Sequence, residues 1–145
     1  MMRPIKFRGK RVDNGEWVYG DLVSRSPWHP RALPDKRYIL DIDTDFPGDP
    51  ENEDDFHEVI PKTVGQFTER KDPNGVEIFD GDVFHGKRDN CTVYWNKKYF
   101  GWYIKNKTEC KDLLVSQVVD YHLLQVIGNI HENPELLEGG DDGKN

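Results

Sequence analysis

Cysteine is nearly absent: Cys91 and Cys110 are the only two. Two thiols cannot build a disulfide scaffold, and they are too few for a structural zinc site. Each is expected to be a free thiol in a reducing compartment, acting as a small hydrophobe in a strand. Long apolar runs are lacking as well. No stretch nears the ~20 apolar residues of a membrane helix, and none follows the positively charged start, so neither a span nor a secretory signal is expected. Helical periodicity is missing too, which argues against a bundle or an alternating α/β sheet. The usual catalytic signatures are not there. Ser24, Ser26 and Ser116 have no GxSxG setting, and no phosphate-binding glycine loop occurs. His29, His57, His85, His122 and His131 include no pair at the spacing of adjacent helical turns and no HExxH. A non-enzymatic protein without metal or cofactor is the expectation.

Aromatic residues are plentiful. Apolar residues make up only 35% of the 145-residue chain and charged residues 32%, yet four Trp, six Tyr and seven Phe supply large core-builders. A disordered chain would lack them. The net charge of −7 is unevenly spread. Residues 1–11 carry Arg3, Lys6, Arg8, Lys10 and Arg11 with no acid, whereas residues 41–58 carry nine acids and no Lys or Arg. From Lys87 to Lys111, seven Lys or Arg face only Asp89 and Glu109. Local sign matters more for partners than the sum does.

Turn signals punctuate the chain at close intervals. Ile5-Lys6-Phe7-Arg8, the turn Asp13-Asn14-Gly15, and Trp17-Val18-Tyr19 through Val23 read as a hairpin, because Asn-Gly accepts the positive φ of tight turns. Pro27, Pro30 and Pro34 make the next stretch a loop, and Arg37 to Leu40 returns as a strand. An acidic loop covers 41–55, followed by short strands at 56–60 and 63–68. Asp72-Pro73-Asn74-Gly75 and Asp80-Gly81-Asp82 are further turns, leading into Val76–Phe79 and Val83–His85. Cys91–Trp95 and Trp102–Lys105 flank Asn96–Gly101 as another hairpin, and residues 123–130 form a last strand. Asn133 as cap and Pro134 at the first helical position predict one helical turn over Glu135–Glu138, ended by Gly139-Gly140. Short strands with regular turns predict an all-β fold in two small parts. These are an N-terminal unit over 1–60, a second over 61–138, and a disordered tail over 139–145.

Two stretches invite a binding role. Asp41-Ile42-Asp43-Thr44-Asp45 looks like the opening of a calcium loop, but Phe46 stands where glycine belongs and Asn52 where the bidentate Glu belongs. A solvated acidic loop is the better reading. The second stretch, 87–111, interleaves Lys87, Arg88, Lys97, Lys98, Lys105 and Lys107 with Tyr94, Trp95, Tyr99, Phe100, Trp102 and Tyr103. Lysines on a β surface can hold phosphates while rings stack bases, so these six cations are the candidate nucleic-acid contacts. Strand lysines also guard sheet edges, and Trp95 and Trp102 suit a core. The same charge pattern is open to self-association, with the acidic loop shielding the basic face or meeting it in another subunit.

Three blocks in order resemble the YopX family of bacteriophage and prophage proteins. They are Ile5–Arg8 with Trp17–Gly20; Ile60–Thr68 continuing through Lys71–Gly75 and Ile78–Val83; and Val126–Leu137. The family usually carries Thr-Gly before the Lys-Asp turn and Tyr-Glu-Gly-Asp after it, where this chain has Glu69-Arg70 and Phe79-Asp80. The resemblance implies an all-β fold whose second part is an SH3-like barrel, self-association into a homo-oligomer, and a phage or prophage setting in the cytoplasm of a bacterial host. It implies no activity and no catalytic residues. The expected function is therefore that of an accessory protein acting by binding, to protein and to itself, with nucleic acid at 87–111 as the alternative.

Overall fold

The computed structural model describes residues 5–24, 36–41, 52–85, 89–107, 110–114 and 124–138. The proline loop, most of the acidic loop, Lys87, Arg88 and the tail fall outside these residues. The chain divides into two units, Met1–Phe67 and Thr68–Asn145, with the division inside one strand. The strands are β1 (Phe7–Lys10), β2 (Trp17–Val23), β3 (Arg37–Asp41), β4 (Phe56–Val59), β5 (Gly65–Lys71), β6 (Glu77–Phe79), β7 (Asp82–Phe84), β8 (Cys91–Asn96), β9 (Gly101–Lys105), β10 (Cys110–Asp112) and β11 (Val126–Asn129). A single helical turn, α1, spans Glu135–Glu138. The strands form a six-stranded sheet in the order β4-β3-β2-β1-β5-β6 and a five-stranded sheet in the order β10-β9-β8-β7-β11. All-β is the fold.

The first unit is a meander. β1 and β2 pair antiparallel from Phe7↔Gly20 to Lys10↔Trp17, joined by the turn that Asp13-Asn14-Gly15 predicts. Gly15 takes φ +73°, and the Asn14 side-chain oxygen accepts the Glu16 amide at 2.9 Å. In β2 the first residues alternate, with Val18 and Gly20 buried and Tyr19 and Asp21 exposed. That is the period of a strand wet on one face. Val18, Ile39 and Val59 form the core, with Phe7, Leu22 and Val64 packed on it. Gly9 lets Val59 approach: a β-carbon there would sit 2.9 Å from the Val59 Cβ. Thr63 ties the turn after β4 to β1, since its Oγ1 accepts from the Lys10 amide at 2.9 Å and donates to the Ile60 carbonyl at 2.6 Å.

The second unit gathers Ile78, Phe84, Cys91, Val93, Ile104, Leu113 and Leu124 into one core, joined by Trp102 and Val126. Two buried carboxylates order its turns. Asp72 Oδ1 accepts the amides of Asn74 at 2.8 Å and Val76 at 2.9 Å, while its Oδ2 accepts the Val126 amide at 3.0 Å. Asp82 Oδ2 accepts the Phe79 amide at 2.7 Å across the Asp80-Gly81 turn, where Gly81 adopts φ +91°.

The five strands do not close into the barrel that the resemblance implies; they remain an open sheet with β10 and β11 at its edges. Closure would need the two edges to pair. β10 has only three residues and pairs with β9, and β11 meets β7 through a register shift between Val126 and Gly128. The terminal turn stands where the sequence places it, but Asn133 does more than begin it. Its side-chain oxygen accepts the Asn129 amide at 3.3 Å, fastening the end of β11.

Candidate functional site

The basic and aromatic residues after Cys91 converge on the β8–β9 hairpin. The strands pair from Thr92↔Lys105 through Tyr94↔Tyr103 to Asn96↔Gly101. Directly opposed residues share a face of the sheet. Val93 and Ile104 face the core, and on that same face Trp95 and Trp102 meet edge to face at 5.2 Å. The other face carries Tyr94, Tyr103 and Lys105, and β10 adds Cys110 opposite Lys105.

Polar contacts fix this second face. The Tyr94 hydroxyl lies 2.8 Å from Cys110 Sγ, and Asn96 Nδ2 donates to the same hydroxyl at 3.1 Å. Lys105 Nζ sits 4.5 Å from the centre of the Tyr94 ring. Tyr99 stacks on Tyr103 with centres 5.5 Å apart and planes at 22°, and Lys98 Nζ lies 5.4 Å from the Tyr99 ring. The contact with Cys110 pushes the Tyr94 phenol above its ordinary pKa. Loss of solvent, then the Asp112 carboxylate, does the same at Tyr103. Both phenols stay neutral at physiological pH, so the lysines and Asp112, which pairs opposite Tyr103, charge this face.

The hairpin tip is shaped by Asn96, whose side-chain oxygen accepts the amides of Lys98 at 2.9 Å and Tyr99 at 3.2 Å. This turn delivers Phe100 at φ +51°. A bulky residue in the left-handed region is an outlier, costing roughly 1–2 kcal/mol relative to glycine. Its ring gains no burial in return: Phe100 is 80% exposed, beside Tyr99 at 58% and Trp95 at 46%. An apolar tip rimmed by lysine results.

Of the six predicted cations, Lys97 and Lys98 lie in the tip, Lys105 on β9 and Lys107 just beyond it, all exposed. Lys87 and Arg88 lie outside the described residues. In the sequence Phe100 is one ring among several, and nothing singles out Asn96. An Asn two and three residues before the amides it accepts is the signal that could have revealed the turn.

A concavity lies within the first unit, lined by Arg11, Val12, Asp13, Tyr38, Asp54, Phe56, His57 and Glu58 and holding about 380 Å³. Arg11 is engaged with Asp13 through Nε at 3.0 Å and Nη2 at 2.7 Å, which holds the Asp13 carboxyl below its usual range. His57 Nε2 stands 3.9 Å from Asp41 Oδ2. Burial, reinforced by Arg11, pulls the His57 pKa down, so the ring is neutral at physiological pH. No Ser, Thr or Cys is among the lining residues. Among the described residues, no three His, Cys, Asp or Glu side chains converge as a metal site would require. The cleft escaped sequence reasoning because its walls come from the first turn, β3 and β4, with no motif linking them.

The profile of the family described as YopX protein matches residues 6–138. The chain belongs to the YopX family. Its fold is also similar to the crystal structure of protein EF1440 from Enterococcus faecalis. That likeness has a TM-score of 0.51 and 23% identity, over 92% of this YopX chain and 98% of the other. No curated protein matches it. Among the described residues, no helix of this YopX protein is long and apolar enough to cross a membrane.

Proposed function

We propose that this YopX protein is a non-enzymatic phage or prophage accessory protein of the bacterial cytoplasm, which works by binding protein, itself included, through the β8–β9 tip. One observation carries the reading: a solvent-facing Phe100 held in a conformation that suits glycine. Fold stability does not call for a ring there. An aromatic anchor inside a polar rim is how protein interfaces concentrate their energy. Phe100→Gly tests the reading, since it relaxes the backbone while deleting the anchor. Self-association, followed by sedimentation velocity over a micromolar concentration series, is expected to weaken with no loss of thermal stability. Unchanged association would overturn the assignment of the tip.

Nucleic acid is the second reading, supported by the exposed Lys97, Lys98, Lys105 and Lys107 around Tyr99 and Tyr103. It is the weaker one. Base stacking needs open ring faces; Phe100 offers one, whereas Tyr99 and Tyr103 stack on each other and lysines lie over Tyr94 and Tyr99. Fluorescent oligonucleotides titrated at two salt concentrations decide: binding that falls steeply with salt and is lost on reversal of the four lysines to Glu would restore it.

A further inference from the structure

The tip needs an acceptor, and the first unit carries one of matching chemistry. We infer that the β8–β9 tip of one chain seats in the cleft of a second copy, Phe100 packing on Val12 and Phe56, and Lys97 and Lys98 meeting Asp54 and Glu58. This rests on the tip being the docking surface and adds which surface receives it.

Three features favour this occupant. The cleft's roughly 380 Å³ lies within the roughly 300–1,000 Å³ of pockets that enclose a small ligand, so a phenyl ring fits. Its wall is mostly polar, and its apolar surface comes from Val12, 54% exposed, and Phe56, half-buried. Its charge is opposite to that of the tip. Arg11 and Asp13 hold each other, which leaves Asp54 and Glu58 as the acids of the lining, and His57 adds no charge at neutral pH. Glu58 also has Lys36 at 3.7 Å, a loose surface pair of the kind that contributes little and can exchange partners. Acidic residues continue around the cleft at Asp41 and Asp55, so an approaching lysine-rich tip is steered toward it.

The contact is head to tail: each chain uses its tip on one neighbour and its cleft on another. Such an interface repeats until a ring closes or a filament grows. That gives a sharp test by mixing. A tip variant (Phe100→Ser with Lys97→Glu and Lys98→Glu) and a cleft variant (Val12→Lys with Asp54→Lys) change only exposed positions. Circular dichroism melts check that both fold. Each alone should be monomeric, its self-association weakened about tenfold or more. Mixed in equal amounts, they should form a one-to-one dimer and nothing larger, because one intact tip and one intact cleft remain.

A mixture that stays monomeric overturns the inference. A cleft variant that assembles like the natural chain, beside a monomeric tip variant, also overturns it, while the tip keeps its role. A tip variant that assembles like the natural chain overturns both this inference and the assignment of the tip. A natural chain that is monomeric throughout removes self-association, and the inference with it.

Discussion

Among the described residues, two side chains occupy backbone that glycine would fill without strain: Phe100 at φ +51° and Glu69 at φ +69°. Left-handed backbone costs a side chain roughly 1–2 kcal/mol, and glycine's looser unfolded chain takes back about 0.4–1 kcal/mol. Phe100→Gly should therefore raise stability by about 0.5 kcal/mol, read from denaturant midpoints, while impairing assembly. The YopX pattern carries Thr-Gly where this chain has Glu69-Arg70, so its glycine falls one residue beyond the positive φ. The two thiols differ just as sharply. Burial pushes Cys91 up to about 11 from 9.0, while Cys110 is exposed. The unfolded Cys91 thiol ionises first, so stability should be full below pH 9 and decline as pH rises toward about 11. Denaturation midpoints of the natural chain and Cys91→Ala across that window check this, the variant losing that part of the decline. At neutral pH a thiol reagent should modify Cys110 and spare Cys91.

Between elements, the decisive groups are a carboxylate and a glycine. Asp72 links its own turn to the start of β11, 54 residues away, and is itself buried. Asp72→Ala would strand three amides and should cost about 3 kcal/mol, seen as an earlier urea midpoint; Asp72→Asn keeps one carbonyl oxygen and should cost less. Gly9→Ala pushes a methyl into Val59, and overpacking of this kind costs roughly 1–3 kcal/mol. The turn before Val76 was legible from Asp72-Pro73-Asn74-Gly75, since those residues write their own local bonds. The link to Val126 was not, because no local preference records a partner so far along the chain.

Across whole molecules, charge sign and exposure govern the expected assembly. Lysine–carboxylate contacts at an exposed rim are screened as the Debye length shrinks from about 10 Å at 0.1 M salt to 3 Å at 1 M. The Phe100 contact is apolar and resists that screening. Self-association of the natural chain should weaken as salt rises. With Lys97→Ala and Lys98→Ala it should be weaker at low salt and nearly independent of it, by the same sedimentation series.

The sequence by itself determined the all-β class, the hairpins at Asp13-Asn14-Gly15 and Asn96–Gly101, the terminal helical turn and the family. Each of these depends on period-two patterning, turn chemistry or residue order, all local in the chain. It placed Lys97, Lys98, Lys105 and Lys107 in one basic stretch, but could not tell which rings would remain open. Tertiary structure decided that Tyr94 and Tyr99 lie under lysines, that Tyr103 is stacked, and that Phe100 projects into solvent. It also left the five-stranded sheet open where a barrel was expected and assembled a cleft from separate strands. The physical reason is the same throughout: strand registers and ring contacts are set by long-range packing, to which neighbouring residues in sequence contribute only in part.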